Sequence, residues 1–376
     1  RIKINWTFPS YTSFAPTLSA AQHCDSATDA CDSLPYGDLK STATAIEKSV
    51  GQTWSDPAGG QLASTSGPYS ILIGSGFLPY ATQQQVNRGG TVAGTTFYIL
   101  NAKDGTVYAS SNVGSDGAHE TVNNCAANAT GCKQIKNALQ TDPVATGPSD
   151  QRYITKAYLG DLDGNLWRFT IGLDAGLLPT ISASNKLYSA GSDQPIFNSL
   201  ATVNLIDSAH QYVFFGTGSD LLPGTDENTV YHLLEILDTG AATGTLSMDR
   251  PLTKNSTLTT DERVTAFPAV AGDIVFFTTT TLNALTPCSA PLANLYAFNI
   301  ITGGAAYDTN SSGTFTNADS VLVKTIAGQR ATAPFIVDQH LLFGSGKNVS
   351  VFGNQDDYNN GVGQAGVRIL SGREVR

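Results

Sequence analysis

Apolar runs that end in small residues recur along the chain and determine its predicted framework. The runs are SILIGSGF (70–77), AYLGDLDG (157–164), YVFFGTGSD (212–220), DIVFFTTTT (273–281) and HLLFGSGK (340–347). After most of them comes a segment in which an aromatic residue alternates with aliphatic ones before a turn, as in FYILNAKDG and LYAFNIITGG. Period-two alternation bounded by turn residues predicts β-strands joined by hairpins.

The spacing of these runs indicates a repeating unit. Successive runs lie about 55–85 residues apart, and shorter segments such as GQTWSDPAGG and RVTAFPAVAG precede several of them. Repeats of three or four strands favour an all-β fold of the β-propeller type, in which each blade packs against its neighbours. We expect five clear blades and one or two weaker ones, including INWTFP (4–9) and NKLYSA (185–190). An array of β-sandwiches is the alternative.

The predicted organisation is one domain with a leading segment. The only convincing helix is LKSTATAIEKSV (39–50), which precedes the first clear blade. We therefore expect an N-terminal segment over 1–45 and a single propeller domain over 46–376, with loop insertions between the blades. We also expect this chain to be a C-terminal fragment of a longer protein.

Composition and charge narrow the class of protein. Only 14% of the residues are charged and 37 are glycine, which suits an extracellular β protein with many turns. The formal net charge of −10 argues against nucleic-acid binding, because contacts to phosphate depend mainly on Lys and Arg. No run of about 18 apolar residues is present, so we predict no membrane span.

The cysteine spacing predicts an oxidising compartment. Cys24 and Cys31 are seven residues apart in a polar stretch, and so are Cys125 and Cys132. We predict a local disulfide in each pair. Zinc is the weaker alternative, because its sites usually show gaps of two to four residues and His partners. Cys288 is then either a buried thiol or the partner of a cysteine outside this chain.

Catalytic signatures are absent from the sequence, and we predict that the protein is not an enzyme. No G-x-S-x-G motif occurs, and the glycine-rich stretch 361–366 has no helix after it to bind a dinucleotide phosphate. The histidines are scattered without the spacing of a metal site: His23, His119, His210, His232 and His340. Two acidic stretches contain oxygen ligands of the kind calcium uses but are typical of solvated turns: Asp226, Glu227 and Asn228, and Asp356, Asp357, Asn359 and Asn360.

The stretch GDLDGNLW presents oxygen side chains at alternate positions. An EF-hand loop needs Gly at position 6 and a bidentate Glu at position 12. Counted from Asp161, those positions hold Leu166 and Gly172, so the loop pattern fails. A hairpin turn is the better interpretation, with Trp167 and Phe169 on the next strand packing between blades. The residues of this motif are Gly160, Asp161, Asp163, Gly164, Asn165 and Trp167.

Several of these segments together resemble the C-terminal propeller of the PilC/PilY family, the tip-associated proteins of type IV pili. GQTWSDPAG followed by ILIGSGF and FYILNAKDG resembles the first conserved blade of that family. YLGDLDGNLWRFTI with NKLYSA is similar to its most recognisable segment, and YVFFGTGSDLLPGTDENTVYHLLEILD and the segment 263–303 look like two further blades. RILSGREV resembles the closing strand, although Gly372 stands where the family usually has Trp. The likeness covers roughly residues 45–376 and rests on co-linear order.

The resemblance implies a modified seven-bladed propeller that acts without catalysis. Its expected role is that of a tip adhesin or a modulator of pilus assembly and retraction, located outside the cell or at the pilus tip after export through the periplasm. Expected partners are minor pilins and a host or abiotic surface ligand. In the family, calcium binds a loop just before the GDLDGN segment. The matching positions here, Gly147, Ser149, Gln151, Tyr153 and Thr155, include no carboxylate.

Two other functions remain open at this stage. A secreted glycan-binding propeller outside pili would use exposed aromatic residues such as Tyr307 and Tyr358. A quinoprotein dehydrogenase would show similar repeats, but its adjacent cysteine pair is absent and three Trp residues are too few for one per blade.

Overall fold

Antiparallel hairpins form wherever the sequence alternates between apolar runs and turn residues. The chain divides into two compact units, residues 1–185 and 186–376, and each is described by itself. The structure, a computed structural model, describes residues 8, 44–51, 53, 55–76, 94–114, 138–148, 151–191, 193–204, 210–218, 229–255, 260–283, 291–309, 312–327, 330–337, 340–345 and 348–352.

One α-helix, α1, spans Ala45–Ser49. Its start is determined by a capping box, in which the Thr44 hydroxyl accepts a hydrogen bond from Glu47 N at 3.2 Å and the Glu47 carboxylate accepts one from Thr44 N at 2.7 Å. The helix predicted over 39–50 is therefore present in its second half, and residues 39–43 lie outside the described residues. No helix in the described part of the chain is long and apolar enough to cross a bilayer.

The first unit contains two four-stranded antiparallel sheets, and the strands of each follow one another in sequence order. Tight turns join the third and fourth strands, and β8 ends beyond the unit boundary at residue 185. The strands are β1 Ala58–Gln61, β2 Tyr69–Gly74, β3 Thr96–Asn101, β4 Val107–Asn112, β5 Val144–Thr146, β6 Lys156–Gly160, β7 Asn165–Leu173 and β8 Pro179–Ser189.

The second unit continues the same pattern with three sheets, whose orders are β9–β12, β13–β14–β16–β17–β18 with β15 beside β16, and β19–β21. The first two contain β9 Ala201–Asn204, β10 Gln211–Gly216, β11 His232–Asp238, β12 Thr245–Pro251, β13 Lys254–Asn255, β14 Thr260–Val264, β15 Ala269–Ala271, β16 Ile274–Asn283, β17 Leu292–Asn299 and β18 Val321–Ala327. The third contains β19 Phe335–Val337, β20 His340–Ser345 and β21 Asn348–Phe352, and a short 3-10 helix, Asn317–Ser320, precedes β18.

Four of the five predicted apolar runs form the second strand of a sheet, and the fourth run, 273–281, forms the long strand β16, which pairs with a divided strand. β14 and β15 pair with successive parts of β16, and Pro268 lies between them. A proline cannot donate a ladder hydrogen bond, so the strand that pairs with β16 is divided at Pro268 into the two short strands β14 and β15. The five runs thus correspond to the five described sheets, which have the order of propeller blades.

Apolar side chains from neighbouring sheets form the core. In the first unit, β3 and β7 meet through Phe97 and Phe169, whose ring centroids lie 4.2 Å apart. An aromatic pair of this kind contributes roughly 0.5–1.5 kcal/mol beyond its buried area. In the second unit, one cluster joins β9–β12 to β16 and β17, and another joins β16 and β17 to β19 and β20.

A glycine recurs at the end of the second strand because another segment passes close to it. A Cβ atom on Gly74 would lie 2.5 Å from the Leu139 carbonyl oxygen, and one on Gly216 would lie 2.0 Å from Val264 Cγ2. On Gly344 it would lie 3.1 Å from the Thr332 side chain. The small residues that end the apolar runs are therefore required by packing between distant segments.

The weaker predicted blades have different outcomes. NKLYSA (185–190) is not a blade of its own, because its residues continue and end β8, the fourth strand of the sheet β5–β8. A strand that starts a new blade and one that continues β8 show the same alternation, so only the pairing with β7 assigns NKLYSA to that sheet. INWTFP (4–9) lies outside the described residues except for Phe8, which packs edge-on against Tyr98. The count of seven blades stays a prediction.

Candidate functional site

The turn between β6 and β7 contains the GDLDGN motif. Gly160 ends β6 and Asn165 begins β7, and Asp161 N donates a hydrogen bond to the Asn165 carbonyl at 3.0 Å. Gly164 closes the turn with φ of +79°, a left-handed conformation that favours glycine. The structure thus places the motif in a hairpin connection.

The Asp161 carboxylate lies at the centre of this turn and is fully buried. Its Oδ1 atom accepts hydrogen bonds from Asp163 N at 2.9 Å and Asn165 N at 2.8 Å. Its Oδ2 atom accepts from Asn165 Nδ2 at 3.0 Å and from Trp167 Nε1 at 2.7 Å. One carboxylate therefore holds the turn and orients the indole on the following strand.

Burial raises the pKa of Asp161 to about 7, while the hydrogen bonds from Trp167 and Asn165 act in the opposite direction. All of these neighbours are donors, so the ionised carboxylate is the form that satisfies them. The arrangement stabilises a turn and leaves no open coordination face on Asp161. Asp163 and Asn165 are also buried, at 7% and 5% exposure.

The loop in which the family resemblance places calcium is the connection between β5 and β6. Its backbone is held by hydrogen bonds from Gln151 N to the Pro148 carbonyl at 3.0 Å and from Thr155 N to the Thr146 carbonyl at 2.9 Å. A Cβ atom on Gly147 would lie 1.8 Å from the Tyr153 carbonyl oxygen. A tightly closed loop without carboxylates at the matching positions does not fit the six to eight oxygen ligands of calcium.

Asp142 lies near this loop but has another role. Its Oδ1 atom accepts a hydrogen bond from Asp56 N at 2.6 Å, which links the segment before β5 to the segment before β1. Among the described residues, no group of three or more His, Cys, Asp or Glu side chains is arranged to hold a metal ion. Ser149 and Asp150 lie outside the described residues.

Several other candidates from the sequence also lie outside the described residues: all five cysteines, His23, His119, both acidic stretches, the glycine-rich stretch 361–366 and Tyr358. Of the remaining histidines, His232 is hydrogen-bonded to Asp249 at the surface, with Nδ1 and Oδ1 2.5 Å apart. His210 is exposed and His340 is half-buried.

The expectation that Tyr307 is exposed is wrong. Its exposure is 6%, and its ring belongs to the cluster between β16, β17 and the sheet β19–β21. Tyrosine is amphipathic, and Tyr307 follows a glycine-rich turn, so the sequence around it did not indicate that its ring is buried. The ring cannot stack on a glycan in this structure.

A buried polar cluster surrounds Glu262 and was not predicted from the sequence. Its Oε1 atom accepts hydrogen bonds from the Thr279 hydroxyl, from Asn294 Nδ2 at 2.7 Å and from the Tyr296 hydroxyl at 2.8 Å. Burial, reinforced by the nearby Glu262 charge, raises the pKa of Tyr296. The cluster keeps Glu262 satisfied inside the sheet, and the polar stretch TDERV contains no local sign that this carboxylate is buried.

Glu235 is a second buried carboxylate that was not predicted from the sequence, and it lacks the well-aligned donors that surround Glu262. It is fully buried on β11, and its neighbours across the strands are Phe214 and Met248 of the same core cluster. Neither carboxylate oxygen has a partner at full hydrogen-bond geometry among the described residues, and the Ser247 side chain is the polar group beside it. Burial raises the pKa of Glu235 to about 7, and Ser247 only partly opposes this effect.

We expect Glu235→Gln to stabilise the protein above pH 7 and to change little below pH 4. The pKa of about 7 in the folded protein exceeds the value of about 4.3 in unfolded chains. The native state therefore binds more protons between these values, and this residue's contribution to stability falls as the pH rises through that window. Urea denaturation from pH 4 to pH 8 should show a difference from wild type that grows from near zero to about 2–4 kcal/mol.

Asp104→Asn is the control for this experiment. Asp104 lies in the exposed turn after β3, and hydrogen bonds from Thr106 lower its pKa. This substitution should not remove the loss of stability between pH 4 and pH 7. A difference between Glu235→Gln and wild type that is constant across the range would contradict the assignment.

Comparisons with known proteins support the fold. No protein-family model matches the chain, and no curated protein matches its sequence. The structure is similar to the C-terminal domain of PilY1 from Pseudomonas aeruginosa, with a TM-score of 0.53 and 15% sequence identity over 82% of this chain and 73% of that chain. BamB from Moraxella catarrhalis matches with a TM-score of 0.30 and 12% identity over 79% and 85% of the two chains, a score too low to carry an argument.

At 15% identity the likeness to the PilY1 domain shows the fold alone. Together with the sheet order, it establishes an all-β structure of the β-propeller type. Residue roles do not follow from a likeness of this kind.

Proposed function

We propose that this protein is a non-catalytic, pilus-associated propeller of the PilC/PilY family. The observation that carries the proposal is the similarity of its fold to the PilY1 C-terminal domain over 82% of the chain. The co-linear motifs of the sequence resemble the same family independently of that structural match. A fold supports many functions, so the assignment depends on these two observations agreeing.

In this proposal the propeller is a scaffold that binds its partners through its surface. The motif best preserved in the resemblance, around Asp161, is used internally for a turn. The chemistry of this motif therefore explains stability and does not require an active site. Binding to minor pilins and to a host or abiotic surface belongs to exposed loops, outside the cell or at the pilus tip.

Binding to minor pilins is the direct test. Purified protein should be retained on immobilised minor pilins, and an unrelated secreted β-propeller of similar net charge should not. Loss of the corresponding gene should reduce piliation, surface attachment or pilus retraction. The proposal is wrong if the protein binds neither minor pilins nor any surface or glycan and if its loss leaves piliation unchanged.

A further inference from the structure

A threonine and a glutamine from separate segments of the chain meet at the end of β10. Thr217 directly follows β10, and Gln194 lies before β9 in a segment that passes this strand end. Gly218 N donates a hydrogen bond to the Pro195 carbonyl at 2.9 Å, and Ile196 forms a parallel bridge with Gly218. The two segments are therefore fixed side by side at the positions of Thr217 and Gln194.

Hydrogen bonds hold both ends of the Gln194 amide. Its Oε1 atom accepts a hydrogen bond from the Thr217 hydroxyl at 2.6 Å, and its Nε2 atom donates one to the Val230 carbonyl at 2.7 Å. Nucleophilic attack requires reacting atoms about 3–3.5 Å apart. Because the amide carbon Cδ is bonded to Oε1, the Thr217 oxygen lies within a small movement of that distance. The hydroxyl therefore faces a carbonyl group whose position is fixed on both sides.

A hydrogen-bonded pair of His232 and Asp249 begins beside the same hydroxyl. The backbone N of His232 donates a hydrogen bond to Thr217 Oγ1 at 2.8 Å, so the histidine side chain starts next to the hydroxyl. Its Nδ1 atom lies 2.5 Å from Asp249 Oδ1. A hydroxyl nucleophile, a histidine base and a carboxylate that orients the base are the groups that activate hydroxyls in acyl transfer. The structure brings these three residues together beside the Gln194 amide.

Burial determines which acyl group the Thr217 hydroxyl can reach. Thr217 is fully buried, at 0% exposure, and Gln194 is half-buried. An external substrate would have to displace the neighbouring segments to approach the Thr217 oxygen, whereas the Gln194 amide is already in contact with it. The same burial keeps water away from an ester formed at this position. The reaction partner of the hydroxyl is therefore within the chain itself.

We propose that Thr217 and Gln194 form an intramolecular ester cross-link. The Thr217 oxygen attacks Cδ of Gln194, the Oγ1–Cδ bond forms, and the Cδ–Nε2 bond breaks. His232 takes the hydroxyl proton and passes it to the leaving nitrogen, which departs as ammonia, so no further reactant is needed. Placement of both groups in one folded chain corresponds to an effective molarity of about 10⁵–10⁸ M, and the released ammonia diffuses away.

The cross-link closes the chain between residues 194 and 217, a segment that contains β9 and β10. A covalent closure lowers the entropy of the unfolded chain, as a disulfide does, but it needs no cysteine. It therefore holds the first two strands of this sheet together at any redox potential. This inference does not depend on the proposed function.

Mass spectrometry of the intact, purified full chain after reduction and denaturation tests the proposal. Loss of ammonia should lower the mass by about 17 Da relative to the mass of the sequence. Tandem mass spectrometry should identify one pair of peptides joined through Thr217 and Gln194, and mild alkali should separate them by hydrolysing the ester. The proposal is overturned if the wild type keeps the mass of its sequence after prolonged incubation at neutral pH, or if the peptides are joined through other residues.

Thr217→Val and Gln194→Glu should each abolish the loss of mass, because the first removes the nucleophile and the second removes the amide that leaves as ammonia. His232→Gln should slow the cross-linking by about a hundredfold or more in a time course, and an unchanged rate would overturn the role of His232. Thr265→Val is the matched control, because the Thr265 hydroxyl is hydrogen-bonded to the Thr280 hydroxyl at 2.7 Å and should leave the loss of mass unchanged. The mass of the wild type decides the question even if a variant does not fold.

Discussion

Replacement of Asp161 by alanine is expected to lower the free energy of unfolding by about 3–5 kcal/mol. The substitution removes the acceptor of four buried donors, namely the backbone N–H groups of Asp163 and Asn165, the Asn165 side-chain amide and the indole N–H of Trp167. Each buried donor left without a partner costs roughly 1–3 kcal/mol. Chemical denaturation followed by Trp fluorescence measures this loss directly.

Asp174→Ala is the control, because Asp174 makes similar local contacts in the exposed turn between β7 and β8. Its Oδ1 atom accepts hydrogen bonds from Gly176 N at 2.8 Å and Leu178 N at 2.9 Å, but water can replace it there. We expect its substitution to cost less than about 1 kcal/mol. Equal effects of the two substitutions would show that burial of the Asp161 carboxylate does not determine its contribution.

Gly216→Ala is expected to destabilise the second unit by about 3 kcal/mol, at the upper end of the usual range for overpacking. A Cβ atom at this position would meet three side-chain atoms of Val264 at 2.0–2.9 Å. Val264 is itself buried in the core cluster between the sheets β9–β12 and β13–β18, so it has little room to move. Thermal denaturation should show the lower stability.

Gly172→Ala separates this steric effect from the general effect of replacing a strand glycine. Gly172 lies on β7, and a Cβ atom there would meet only Thr180 Oγ1, at an ordinary 3.5 Å. We expect that substitution to be neutral or slightly stabilising, since alanine reduces the entropy of the unfolded chain. A small effect of Gly216→Ala would mean that β14 can shift away from β10 at little cost.

The strands were predictable because their signal is local. The runs at 70–77 and 340–347 became β2 and β20, and the aromatic segment that includes Phe97 became β3. Successive residues of a strand point to opposite faces of the sheet, so a half-buried strand shows an alternation of apolar and polar residues in its own sequence. NKLYSA alternates in the same way, and the sequence could not show that it continues β8.

The roles of individual polar residues were less predictable. Asp161 and Asp174 both lie in short turns with a nearby glycine, yet the carboxylate of Asp161 is fully buried and that of Asp174 is exposed. Glu235 and Glu262 are both buried on strands, but only Glu262 meets well-aligned donors on the neighbouring strands. Those donors are supplied by residues distant in the chain, so no local pattern distinguishes the two cases.

By itself, the sequence determined the all-β class, the positions of most strands and the turn at the GDLDGN motif, because alternation and turn chemistry act over a few residues. The tertiary structure decided that Asp161 is buried and fully hydrogen-bonded, that Tyr307 is hidden, and that Gly216 must lack a side chain. These outcomes depend on which sheets pack against each other. Burial and hydrogen-bond partners come from segments that only folding brings together.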